Sequence, residues 1–91
     1  MHHLQLPEDL LVEDLASIAL QLEAVLVDSP EVIDIDASRL EHVDTAGMQL
    51  LYAFVRDARR MNKAVRWHHL SAAVRDAAQV LGMDALFPRE D

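Results

Sequence analysis

Between Val32 and Leu51 the hydrophobic period of the chain changes from two to three-and-a-half, and that change decides most of what it can fold into. Glu31 to Ala37, with Val32, Ile33 and Ile35 interleaved by Asp34 and Asp36, reads as a strand. Ser38 to Val43 is a connection. Asp44-Thr45-Ala46-Gly47 then opens a helix predicted from about Ala46 to Met61, with Leu50, Leu51, Phe54, Val55 and Ala58 as its apolar stripe. A strand feeding a helix in this way is half of a β-α-β unit. It implies an α/β domain with parallel central strands and right-handed crossovers.

The flanking segments supply the remaining elements. His3-Leu4-Gln5-Leu6 alternates and is stopped by Pro7, which suggests a short strand at a sheet edge. From about Val12 to Val27, Leu15, Ile18, Ala19, Leu22, Val25 and Leu26 recur at helical spacing. Glu13 and Asp14 are expected in the first turn of this helix, where its dipole favours acids, and Asp28-Ser29-Pro30 ends it. Ala64 to His68 reads as another strand. Ser71 caps a helix from Ala72 to about Leu81 with Val74, Ala77, Ala78 and Leu81 on one face, and Gly82 follows as its terminator. Leu86-Phe87 is expected to fold back onto the core. The expectation is one domain spanning residues 1–91, built on a mostly parallel or mixed sheet of about four strands with three to four helices.

Composition removes several functional classes. The 91 residues include no cysteine, which excludes disulfides, thiolate metal sites and thiol nucleophiles. No apolar run approaches the roughly 18 residues of a membrane span, and no basic-then-apolar leader opens the chain, so a cytoplasmic protein is expected. The net charge of −8 is unevenly placed. Residues 1–44 carry eleven acids against Arg39 alone, whereas residues 45–91 carry seven bases against five acids. Neither nucleic acid nor an anionic membrane surface attracts such a chain broadly, and bipolar charge suits docking onto a complementary protein.

The turn at residues 44–47 places a carboxylate, a hydroxyl and unpaired helix N–H groups together. Asp44 or Thr45 can cap the helix, and Gly47 would leave the first turn bare for a close backbone approach. Met48 and Tyr52 stand one turn apart and are expected, with Gln49, on an exposed face beside the motif.

The order Asp36-x-Ser38-x-Leu40-x-x-Val43-Asp44-Thr45-x-Gly47, followed by Leu50-Leu51, resembles the STAS domain of sulfate transporters and anti-sigma factor antagonists. Arg59-Arg60, Val65-Arg66-Trp67, Ser71, Leu81-Gly82 and Leu86-Phe87 continue the resemblance over roughly residues 31–87. It implies a switchable docking module. The leading implication is an anti-sigma factor antagonist that binds an anti-sigma-factor-type serine kinase; the alternative partner is a chemotaxis component or an ABC transporter ATPase. Asp44, Thr45, Ala46, Gly47, Met48, Gln49 and Tyr52 would form the binding surface, supported by Asp36 and Ser38. In sporulation-type antagonists the phosphorylated serine precedes the glycine; here that position is Ala46, so Thr45 is the only hydroxyl in the motif. The Asp-Thr-x-Gly form also resembles the small STAS subunit of bacterial phospholipid-transport ABC systems and short chemotaxis-associated STAS proteins. A nucleotide- or small-ligand sensor is the further alternative.

Enzymatic chemistry finds little support. Asp34, Asp36 and Asp44 could suggest a magnesium pocket, but Asp34 reads better as an outward strand residue. His68 and His69 are adjacent on a strand and would point to opposite faces, while His42 lies elsewhere. Ser71 has a sufficient role as a cap, and the only glycines, Gly47 and Gly82, make no phosphate loop. The expectation is a non-enzyme with no cofactor and no metal.

Overall fold

In the computed structural model, residues 2–28 and 31–87 are described. In chain order they form β1 (His2–Gln5), β2 (Asp9–Leu10), a 3-10 turn at Val12–Asp14, α1 (Leu15–Asp28), β3 (Val32–Asp36) and β4 (His42–Val43). There follow α2 (Thr45–Arg60), β5 (Ala64–His68), α3 (Ala72–Val80) and a 3-10 turn at Asp84–Leu86. The main sheet has three strands in the order β1-β3-β5, all parallel. A separate two-stranded parallel pair joins β2 to β4. The main sheet is therefore one strand smaller than expected, because two of the described strands are too short to extend it and pair with each other.

Register explains how the core is built. Leu4, Ile35 and Trp67 stand in line across the three strands, as do Asp34 and Arg66 one residue away. Alternation puts Ile33, Ile35, Val65 and Trp67 on one face. Ile33, Ile35 and Trp67 join Ile18, Leu22 and Val25 of α1 and Leu51, Phe54 and Ala58 of α2 in one buried cluster, with the half-buried Val65 packed against it. The stripes read from the sequence are the faces that are buried in these two helices. Two details differ. Glu13 and Asp14 belong to the 3-10 turn before α1, whose own first turn has no acid. Leu81 is the C-cap of α3 and is exposed, since the helix ends before it can turn that residue inward.

Both ends of α3 and the C-terminal end of α2 are individually satisfied. The Ser71 hydroxyl accepts from the Val74 N–H at 3.2 Å, as its N-cap position predicts. Gly82 takes φ +72 and lets the Met83 N–H return to the Ala78 carbonyl at 2.7 Å. Asn62 does the same for α2 at φ 59, with the Lys63 N–H on the Ala58 carbonyl at 2.8 Å. Leu86-Phe87 folds back as expected. Phe87 meets Trp67 edge-on at 4.8 Å, and the Trp67 indole N–H donates to the Leu86 carbonyl at 3.1 Å.

The opposite face of the main sheet is polar, and it corrects the expectation for Asp34. That side chain is buried, with its residue only 3% exposed. Its Oδ1 accepts from His68 Nε2 at 2.7 Å and Arg66 Nε at 3.0 Å, while Oδ2 is buried without a hydrogen bond. The hydrogen bond to His68, then that to Arg66, holds the carboxyl below the ordinary value of 3.8 against the opposing effect of burial. A depressed folded pKa contributes stability that is present above 3.8 and lost as pH falls through the folded value. Asp34→Ala is expected to lower stability at neutral pH by roughly 1–3 kcal/mol, because two donors lose their acceptor. Urea unfolding across acid pH should show the gap between the proteins closing below the ordinary aspartate range. A gap that persists unchanged there would mean packing, not the ionised pair, is responsible.

Candidate functional site

The start of α2 is assembled by segments more than thirty residues apart. β2 and β4 align Asp9 with His42 and Leu10 with Val43. The Glu8 carbonyl accepts from both Glu41 N–H (2.8 Å) and His42 N–H (3.1 Å), which anchors the loop before the helix. Asp44 is the N-cap, with extended backbone at φ −93 and ψ −179. Its Oδ1 accepts from the Gly47 N–H at 2.8 Å and its Oδ2 from the Val12 N–H at 2.9 Å. These N–H groups, Gly47 first and Val12 second, hold the Asp44 carboxyl below its ordinary range. The carboxylate therefore ties the helix start to the N-terminal segment as well as capping it.

Gly47 and Met48 do not occupy the positions expected of them. Gly47 is buried, and a Cβ placed on it would lie 2.2 Å from the Leu10 carbonyl oxygen and 3.0 Å from Val43 Cγ2. The glycine admits the protein's own β2 backbone, not a partner's. Met48 is 0% exposed and belongs to the core with Leu51 and Val55, three and seven residues on. The exposed residues of the motif are Thr45, Gln49 and Tyr52, which share one helical stripe at spacings of four and three. Ala46 is half-buried and Tyr52 is 51% exposed. The helix begins at Thr45, one residue before the expected start.

The remaining candidates have structural or electrostatic roles. Asp36 Oδ1 accepts from the Ser38 N–H at 2.9 Å, so this pair shapes the turn that leaves β3. Beside the helix start His42 Nδ1 meets Asp9 Oδ1 at 2.8 Å, which raises the His42 pKa. Glu8, Glu41 and His42 are exposed and bring one ligand atom each within 4.8 Å of one another. Sequence reading missed this cluster because Glu8 lies far from His42 along the chain and only the β2–β4 pairing joins them. These acids flank the β2–β4 pair, whose Leu10 carbonyl packs on the first turn of α2.

A family model described as "Mlab, STAS domain" matches residues 2–88. The chain belongs to the STAS domain family. Among solved structures, it is similar to a sulfate transporter family protein from Wolinella succinogenes. That likeness has a TM-score of 0.77 and 19% identity, and it covers 93% of this chain and 70% of the other. At that identity it supports the fold. No curated protein matches the chain. Within this STAS domain, no helix among the described residues is long and apolar enough to cross a membrane.

The packing at Gly47 makes a direct prediction. Gly47→Ala is expected to destabilise the domain by about 1–3 kcal/mol or more, since the added methyl meets backbone that must move. Thermal unfolding and amide exchange at Leu10 and Val43 would both report it. An unchanged melting temperature would show that β2 is not held against the helix. Asp44→Asn, which keeps a capping oxygen, should retain more stability than Asp44→Ala, and circular dichroism melts would rank the two.

Proposed function

We propose that this STAS domain is a non-catalytic docking module whose contact with its partner centres on Thr45, Gln49 and Tyr52. The supporting observation is the division of labour at the start of α2. Asp44 and Gly47 are occupied in holding the helix to β2, Met48 is core, and Thr45 alone carries an exposed hydroxyl at the helix N-terminus. A hydroxyl there can accept or donate a hydrogen bond to a partner without disturbing the fold. Steric or charge change at that point should affect binding before stability.

The preferred partner is the ATPase of an ABC transporter, with the domain as its regulatory STAS subunit. Two observations favour it: the Asp-Thr-x-Gly form of the motif, which resembles the small STAS subunit of phospholipid-transport ABC systems, and Ala46, which lacks a hydroxyl at the residue before Gly47. The second reading is an anti-sigma-factor-antagonist switch in which a serine kinase phosphorylates Thr45. It draws on the exposed hydroxyl beside a helix end that favours anions, where a phosphate would add close to two negative charges next to Asp44. A chemotaxis component remains the third candidate partner. The acids flanking β2 and β4 suit a basic patch on any of them.

Pull-down from the native host with wild type and Thr45→Glu tests both the module and its partner. The expected result is capture of a transporter ATPase by wild type, with at least about a tenfold loss for the variant. The variant's melting temperature should be unchanged, because an acid in the first helical turn is compatible with the dipole. Capture of a serine kinase, together with phosphate found on Thr45, would select the switch. Equal capture by wild type and variant would place the interface elsewhere.

A further inference from the structure

The exposed stripe of α2 does not stop at Tyr52. Arg56 and Arg59 continue it at the next helical positions, and beside them the surface becomes a groove. Two adjoining cavities, ≈ 130 and ≈ 230 Å³, share Val55, Arg59 and Leu86. The first reaches Tyr52 and Arg56; the second reaches Lys63, Val65 and Trp67. The floor is apolar and buried, from Val55, Trp67 and Leu86, while the rim is basic. Arg56 is 3.4 Å from Asp57, and Lys63 donates to the Leu26 carbonyl. Arg59 lines both cavities and has no carboxylate in ion-pair range among the described residues.

One side of this groove is a strand that no other described strand pairs on its outer edge. β5 is terminal in the sheet among the described residues. Its ladder to β3 begins at Ala64 N–H on the Glu31 carbonyl (2.7 Å) and ends at the His68 carbonyl accepting from Ala37 N–H (2.9 Å). By that parity Ala64, Arg66 and His68 bond inward, and the backbone groups of Val65 and Trp67 face outward. Those two residues also line the second cavity. An extended segment laid here would find backbone partners, an apolar floor and a cationic rim together.

We infer that this groove receives an extended acidic segment with alternating apolar residues, contributed by the protein that docks at Thr45. The inference rests on reading α2 as the docking helix and adds the chemistry the partner must present. Charge complementarity selects the occupant. The chain is acidic as a whole, yet Arg56, Arg59, Arg60 and Lys63 are gathered at this end of α2. A basic segment would be repelled from this rim, and a wholly apolar one would leave it unmatched.

The test uses a fluorescently labelled short peptide alternating Glu and Val, its Lys/Val counterpart, and the full chain. Saturable anisotropy binding of the Glu peptide alone is expected, weakening as salt is raised, with amide shifts at Val65, Trp67 and Leu86. Arg59→Glu should weaken it about tenfold or more. Arg39→Glu, which changes net charge equally on an exposed loop, should not. Thr45→Glu should leave peptide binding intact, so failure of the Thr45 reading is seen separately in the pull-down. Three results would each overturn the inference: no saturable binding, equal binding of the Lys peptide, or loss of wild-type self-association in Arg59→Glu without peptide binding. The last would assign the groove to a second copy.

Discussion

The contact on which the rest of this domain depends is the clasp between Asp44, Gly47, Val12 and Leu10. One carboxylate satisfies an N–H of the helix it caps and an N–H of a segment 32 residues earlier. The missing Cβ of Gly47 lets the Leu10 carbonyl approach the first turn of α2. Strand pairs of two residues are too short to persist alone. β2 and β4 persist because the clasp fixes them from the helix side. The clasp also sets where α1 can begin, since Val12 opens the 3-10 turn that leads into it.

This arrangement separates structural from available chemistry within four consecutive residues. Asp44 and Gly47 are committed to the fold, Ala46 is half-buried, and Thr45 is left exposed. The same helix carries that site at one end and the cationic groove at the other. The β2–β4 pair packed on its first turn brings Glu8, Asp9 and Glu41, and its last turns are bordered by Arg56, Arg59 and Lys63. A helix some 24 Å long at 1.5 Å per residue therefore presents opposite charge at its two ends. A partner that matches both ends is oriented by that dipolar pattern before any close contact forms.

The sequence made the local elements legible and left the long-range ones hidden. β3, α2, β5 and α3 follow from periodicity, and Ser71 and Gly82 from the chemistry of helix ends. The β2–β4 pairing did not show, because two residues carry no period. Met48 stands one turn from the exposed Tyr52, but it is also three residues before Leu51 and seven before Val55. Periodicity alone left both faces open to it. What decides is β2 covering the first turn of α2, which widens the buried arc there. Asn62 ends α2 in the left-handed region, which asparagine signals less strongly than glycine does.

Asp34 shows the same limit from the opposite direction. An acid between two isoleucines in a strand reads as solvent-facing, and its face of the sheet is indeed the polar one. The groups that bind its carboxylate are ones a single strand cannot reveal: Arg66 opposite it in register and His68 two residues further along β5. Such a cluster adds little net stability over an apolar alternative, but it penalises mispairing. Sliding β5 by one residue would send Trp67 to the polar face and leave Asp34 without Arg66 and His68. The polar cluster thus holds the register of β5, and that register is what places Val65 and Trp67 beside α2 where the groove is formed.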